Sequence, residues 1–158
     1  MKRHLLLKCA LVLLATVCGA GAFDFSRLVG NWDGRRKEIE NGVGAYSNVD
    51  LIARQNGTQG LLIVEKGKWP ELGRYTWRHS FHGDGRYTAV AKSSSGYIFA
   101  TTSGSWKEVG DTIEISGQNS NFSGTAPFKG SLRRDAKGKL VYSGNSGTLR
   151  VVIKGQRR

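Results

Sequence analysis

The residues able to do chemistry in this 158-residue chain are few, and their spacing argues against the commoner kinds of site. His79 and His82 stand three apart. On an extended strand that spacing points them to opposite sides, which is poor geometry for a shared metal. The third histidine, His4, and both cysteines, Cys9 and Cys18, lie in the first 18 residues, inside an apolar N-terminal stretch. No metal site is therefore expected. No serine or cysteine triad spacing stands out, and no glycine-rich loop precedes a helix to cradle phosphate. Asp84 and Asp111 sit in Gly-rich turns, where an aspartate is favoured for hydrogen bonding to its own backbone rather than for acid–base work. No catalytic residue and no cofactor are assigned, and the reading favours a protein that is not an enzyme. What remains is one aromatic row. Period-two pleating sends Tyr75, Trp77, His79 and Phe81 to one face of a strand and Arg74, Thr76, Arg78 and Ser80 to the other. Tyr75, Trp77 and His79, joined by Phe99 from a later strand, are the candidate lining of a site for a small apolar or amphiphilic ligand, with His79 as its orienting polar group. The competing reading of such a histidine is that it is satisfied structurally within a core.

The elements that must position this row are strands. From His79 to Ser116 the chain alternates apolar and polar residues in short runs separated by Gly83-Asp84-Gly85, Ser93-Ser94-Ser95-Gly96 and Val109-Gly110-Asp111. This is the pattern of an antiparallel meander. Nowhere after residue 22 do apolar residues recur with helical spacing for a dozen positions, and only 24–28 suits a short helical turn. The alternation predicts strands over 31–38, 47–54, 59–66, 74–82, 85–92, 97–108, 112–116, 127–134, 139–143 and 148–154. Turns at Gln55-Asn56-Gly57-Thr58, Gly83-Asp84-Gly85 and Asp135-Ala136-Lys137-Gly138 supply the positive-φ positions that tight hairpins need. Short connections make sequential strands neighbours. An all-β, up-and-down meander of eight to ten strands is expected, closed into a barrel because closure removes exposed edges. Large side chains at Trp32, Tyr75, Trp77, Phe81, Tyr97 and Phe99 favour a filled interior, whereas Gly34, Ala89, Ala91 and Gly130 at inward positions would open space for one small ligand.

Residues 1–22 read as a secretory signal peptide. Lys2, Arg3 and Lys8 precede the apolar run Cys9–Val17, and Ala20-Gly21-Ala22 is a small-residue cleavage site. The run is too short to span a bilayer. Lipoprotein processing at Cys18 is the rival, but Val17 and Ala15 stand where that route wants a small residue and a leucine. Cleavage after Ala22 leaves 23–158 as a single domain, periplasmic or secreted, with no cysteine and no transmembrane segment. The formal charge of the whole chain is +12; the leader takes three of 24 Lys and Arg and none of 12 Asp and Glu, which leaves +9. The basic groups are scattered: Arg35-Arg36-Lys37, Arg133-Arg134, Lys137 with Lys139, and Lys154 to Arg158. They suit either a solvated surface or a patch for an anionic envelope component such as a lipid headgroup or acidic polymer. Nucleic acid is not expected as a partner of an exported protein.

Leu28-Val29-Gly30-Asn31-Trp32 resembles the Gly-x-Trp opening of lipocalins and their calycin relatives. The hairpins Phe81-x-x-Asp84-Gly85-x-Tyr87, Gly104-Ser105-Trp106 and Asp111-Thr112-Ile113-Glu114-Ile115 are similar to those of small bacterial lipocalin-like domains. The resemblance implies a turn of helix leading into a first strand whose Trp32 is buried at the closed end of a barrel. It also implies a basic side chain from near the chain end lying across that Trp, the expected residue being Arg150, with Lys154 as the other choice. The Thr-Asp-Tyr motif of lipocalins and the helical lid of fatty-acid-binding proteins are both absent, so no ligand is implied. Two functions stay open: a barrel that holds a small ligand, and an interaction protein that docks through its basic surface with its interior filled.

Overall fold

The structure is a computed structural model that describes residues 23–70 and 73–158; the expected leader, its cleavage site and Cys18 lie outside the described residues. Ten strands form one closed antiparallel barrel: β1 (Gly30–Glu40), β2 (Val43–Gln55), β3 (Leu61–Trp69), β4 (Gly73–Phe81), β5 (Arg86–Ser93), β6 (Ile98–Val109), β7 (Thr112–Asn121), β8 (Gly124–Arg134), β9 (Leu140–Ser146) and β10 (Leu149–Arg157). Each strand pairs with its successor, and β10 returns to β1 in the register Trp32↔Arg157 to Glu40↔Leu149. The expected meander and its closure are therefore both present.

Turn chemistry explains the connections. Asn41 (φ 49°) and Gly42 (φ 83°) join β1 to β2 with two left-handed residues, the conformation that matches the twist of a tight hairpin. Gly57, Gly85 and Gly138 hold positive φ in the three turns read from the sequence. All ten expected strands occur, but most run further at an end than their apolar pattern does, β2, β7 and β8 among them. β2 begins at Val43, β7 continues to Asn121 and β8 begins at Gly124. Those added residues are mostly small or polar, and they stay extended because a neighbouring strand supplies the ladder, as in Asn119↔Ala126.

A 3-10 helix, Phe25–Leu28, capped by the Asp24 carboxylate on the Ser26 N–H at 2.9 Å, plugs the end of the barrel where β1 starts. Phe25 packs edge-on to Trp106 with centroids 5.4 Å apart, and Trp32, wholly buried, donates its indole N–H to the Leu28 carbonyl at 3.1 Å. Trp32 thus sits at the closed end as expected. The residue across it differs from expectation. The guanidinium groups of Arg157 and Arg134 lie 5.8 and 5.9 Å from its ring centroid. Arg150 is exposed and pairs with Ile39 and Asn145 at the opposite end of the barrel. The register is the reason: seven residues separate Arg150 from Arg157, about 23 Å of extended strand. Lys154 lies opposite Arg35 and faces out.

Candidate binding site: a charged cluster beneath an aromatic mouth

Alternation outward from Trp32 along β1 puts Gly34, Arg36, Glu38 and Glu40 on the inward face, while Arg35 and Lys37 point out and stack over Tyr46 at 4.9 and 5.4 Å. Arg36 thus departs from the basic surface run in which its neighbours place it. It is 2% exposed and its partner Glu65, brought inward on β3 by Leu61 and Ile63, is fully buried. On β4 the row Tyr75, Trp77, His79 and Phe81 is buried as the alternation requires.

These residues build one polar cluster. Arg36 Nη1 donates to Glu65 Oε1 at 2.7 Å, and Arg36 Nε donates to Glu38 Oε1 at 2.8 Å, an oxygen that also takes Nη2 at 2.5 Å. The Tyr75 hydroxyl donates to Glu65 Oε1 at 2.7 Å. His79 Nδ1 meets the Tyr87 hydroxyl at 2.8 Å, while its Nε2 faces Glu65 Oε2 at 3.7 Å. Burial opposes ionisation of Glu65, yet the Arg36 charge with the contributions of His79 and Tyr75 outweighs it and holds the carboxyl down at about 2. Burial likewise opposes the charge on Arg36, and Glu65 reverses the balance and raises it. Burial, reinforced by Glu65, pushes the Tyr75 hydroxyl well up. Burial, with Tyr142 beside it, does the same to Tyr87, and burial first of all lifts Tyr142 to about 12. At neutral pH Glu65 is an anion and these three tyrosines are neutral, with Tyr75 donating to Glu65. The cluster fixes positions; it does not supply an acid or base poised near neutrality through these four groups.

Above the cluster, at the end away from the helix, the barrel holds a cavity of about 210 Å³. Trp77, His79 and Phe99 line it, and so do Trp69, Phe122, Asn119 and the inward charges Arg36, Glu38 and Glu40. Tyr75, the fourth expected ligand residue, is not on its wall: its ring lies 4.8 Å from Trp69 and its hydroxyl is engaged by Glu65. His79 stacks on Trp77 with centroids 5.7 Å apart. The rim is aromatic, with Tyr97 stacked on Phe122 at 6.3 Å and Phe122 on Phe99 at 6.2 Å. Tyr97, expected to point inward, is exposed. The register shifts between Ala91 and Lys92, so Phe99 and Ala100 are both buried and Tyr97 is left outside the start of β6. Toward the closed end a pocket of about 10 Å³ beside Glu65 and His79 is the size of one water.

Arg36, Glu38, Glu40, Glu65, Trp69, Asn119 and Phe122 are among the site residues that the sequence reading missed. For the first three the signal was present, since counting by twos from Trp32 reaches them all.

No family model and no curated protein matches this chain. A solved structure, that of Rv2717c from M. tuberculosis, aligns with a TM-score of 0.53 over 84% of this chain and 95% of that one. What the two share is the barrel. At 19% sequence identity the likeness shows the fold alone, which here is a closed antiparallel barrel of ten strands.

Proposed function

We propose that this chain is an exported, non-enzymatic binding protein that holds a small apolar or amphiphilic ligand in the cavity at the open end of its barrel. The cavity itself carries the proposal: about 210 Å³, walled by Trp69, Trp77, Phe99 and Phe122, with His79 and Arg36 as polar groups at its base. Ligand sites are mostly apolar and aromatic with a few fixed polar groups. Size narrows the ligand. A protein cavity of about 150 Å³ holds benzene, so this one suits a compound of one or two rings and is too small to enclose a haem or a long acyl chain. The test is a calorimetric titration of the protein against one- and two-ring aromatics, fatty acids and haem-like compounds at two salt concentrations, repeated with Trp77→Phe and Phe99→Ala. Saturable binding of small aromatics, insensitive to salt and weakened by both substitutions, is expected; no saturation with any compound would overturn the proposal.

A second reading is favoured by one observation. Lys154 stands directly opposite Arg35, and Lys68 opposite Arg74, all four exposed and lining an outer groove with Lys66 and Lys139. Like charges directly opposed across strands are destabilising, so a basic face kept at that cost suits docking on an anionic envelope component. Attachment to anionic vesicles or acidic polysaccharide that weakens steeply with salt would support it, because screening acts on exposed charges.

A further inference from the structure

The proposed pocket lies in a strongly basic protein, yet the charges gathered around it have the opposite balance. Arg36, Glu38 and Glu40 line the cavity, and Glu65 lies beneath it against Arg36. One guanidinium therefore faces three carboxylates. That guanidinium is already engaged: Nε and Nη2 serve Glu38, and Nη1 serves Glu65. Glu38 spends Oε1 on Arg36, and its Oε2 accepts no hydrogen bond among the described residues. Glu40, one step further along the inward face of β1, is exposed at the rim. The cations beside this stretch, Lys37 on β1 and Arg150 opposite Ile39 on β10, belong to the outward faces of their strands.

We infer that the pocket selects a cationic ligand, an amine carried on a one- or two-ring aromatic body, and disfavours the carboxylate of the same shape. This rests on the pocket reading above and adds the sign of its ligand. The walls suit a cation as well as a ring, for the chain's own cation shows it: Arg36 sits 5.1 Å from the Trp77 centroid and 5.6 Å from that of Trp69. Aromatic faces attract cations through their quadrupole, and a carboxylate with a spare oxygen beside them completes an ammonium site. A carboxylate ligand would have to compete with Glu38 and Glu65 for Arg36 while adding a fourth negative charge to the group. Trp77 and Phe99 meet edge to face at 6.4 Å and form one wall of the cavity, so a ring resting against that wall with its amine turned to the mouth would meet Glu38 and Glu40. The overall positive charge acts the other way at long range, drawing anions to the outer face, so the sign of the pocket is a local property of β1 and β3.

The experiment is a calorimetric titration of the protein with indole, tryptamine and indole-3-propionate, one ring system carrying no charge, a positive charge and a negative charge. Tryptamine is expected to bind at least about tenfold more tightly than indole-3-propionate, since juxtaposed like charges cost several kcal/mol and 1.4 kcal/mol is tenfold. Indole should fall between them. Glu40→Gln, at an exposed rim position, should weaken tryptamine by up to about fivefold, the range of a solvent-exposed ion pair, and leave indole unchanged. Glu38→Gln should narrow the difference between tryptamine and indole-3-propionate further. The three-ligand comparison uses the unaltered protein, so it holds even where a variant is destabilised. Equal affinity for the two charged ligands, or tighter binding of the propionate, would overturn the inference and leave the pocket standing. No binding of any of the three, including indole, would overturn the pocket as well.

Discussion

Replacing Arg36 by Met tests whether the buried cluster is held together as the geometry says. Arg36 and Glu65 are almost wholly withdrawn from solvent, at 2% and 0% exposure, and meet at 2.7 Å. Removing one member of such a pair leaves a buried, uncompensated charge, which typically costs about 3–5 kcal/mol. The same interaction appears in the titration of Glu65, held at about 2 against a reference of 4.5. At 1.36 kcal/mol per unit, that difference amounts to about 3 kcal/mol. The sign follows from the direction. A depressed carboxyl contributes stability that is fully present above pH 4.5 and is lost as the pH falls toward 2. Without Arg36, burial dominates and lifts the Glu65 carboxyl above its reference, so the variant's deficit is greatest at neutral pH and is relieved as the carboxyl protonates. Urea unfolding followed by Trp fluorescence, from pH 7 down to pH 3, reads both curves. Arg36→Met should lie about 3–5 kcal/mol below the parent at pH 7, with the gap closing on acidification, and adding Glu65→Gln should restore much of the loss. A deficit under about 1 kcal/mol, or one that stays constant with pH, would refute the assignment of a coupled buried pair.

Three other outcomes are open to measurement. Trp32→Ala should cost about 3–5 kcal/mol; combined with Arg157→Ala it should be non-additive by about 0.5–3 kcal/mol, whereas with Arg150→Ala it should add within about 0.5 kcal/mol, as chemical unfolding of the three single and two double variants would show. At Gly67 an added Cβ would lie 2.5 Å from the Tyr75 hydroxyl oxygen and 2.6 Å from the ring carbon bearing it. Gly67→Ala should therefore push that ring off Glu65 and cost about 1–3 kcal/mol in thermal unfolding, an overpacking penalty that Tyr75→Phe, with the same ring, should not relieve. Finally, the intact mass of the exported protein should begin at Phe23; a retained leader, or diacylglycerol on Cys18, would contradict cleavage after Ala22.

The barrel was legible because its local signals agree. Apolar alternation marks ten runs, left-handed turn residues separate them, and the short links leave sequential strands little choice but to pair. The parts that were not legible lack a local cause. Gly117–Asn121 carries no apolar alternation, and its inward Asn119 is held by donating to Thr102 across the strand pair at 2.9 Å, a partner 17 residues away. Tyr97 was misplaced because β6 begins only at Ile98 and Tyr97 belongs to the turn before it, while the register shift at Ala91/Lys92 brings Phe99 inward beside Ala100.

The charged cluster was missed for a different reason, and the same reason accounts for the cavity. A sequence reading assigns charges to the wet face, since an unpaired buried charge is prohibitively costly. Arg36 escapes that rule only because Glu65, 29 residues away, is carried opposite it once the barrel closes, a contact that neither strand encodes alone. Below the cluster the interior is filled. Leu51, Ile63, Phe81, Leu132, Leu140 and Ile153 pack there and leave only about 10 Å³ toward the closed end. Above it, the inward positions of β1 carry Glu38 and Glu40 where apolar side chains would otherwise pack. Carboxylates that need water or a cation cannot close over a dry core, so the barrel stays open on that side, and the 210 Å³ cavity lies where the inward face of β1 turns from apolar to acidic.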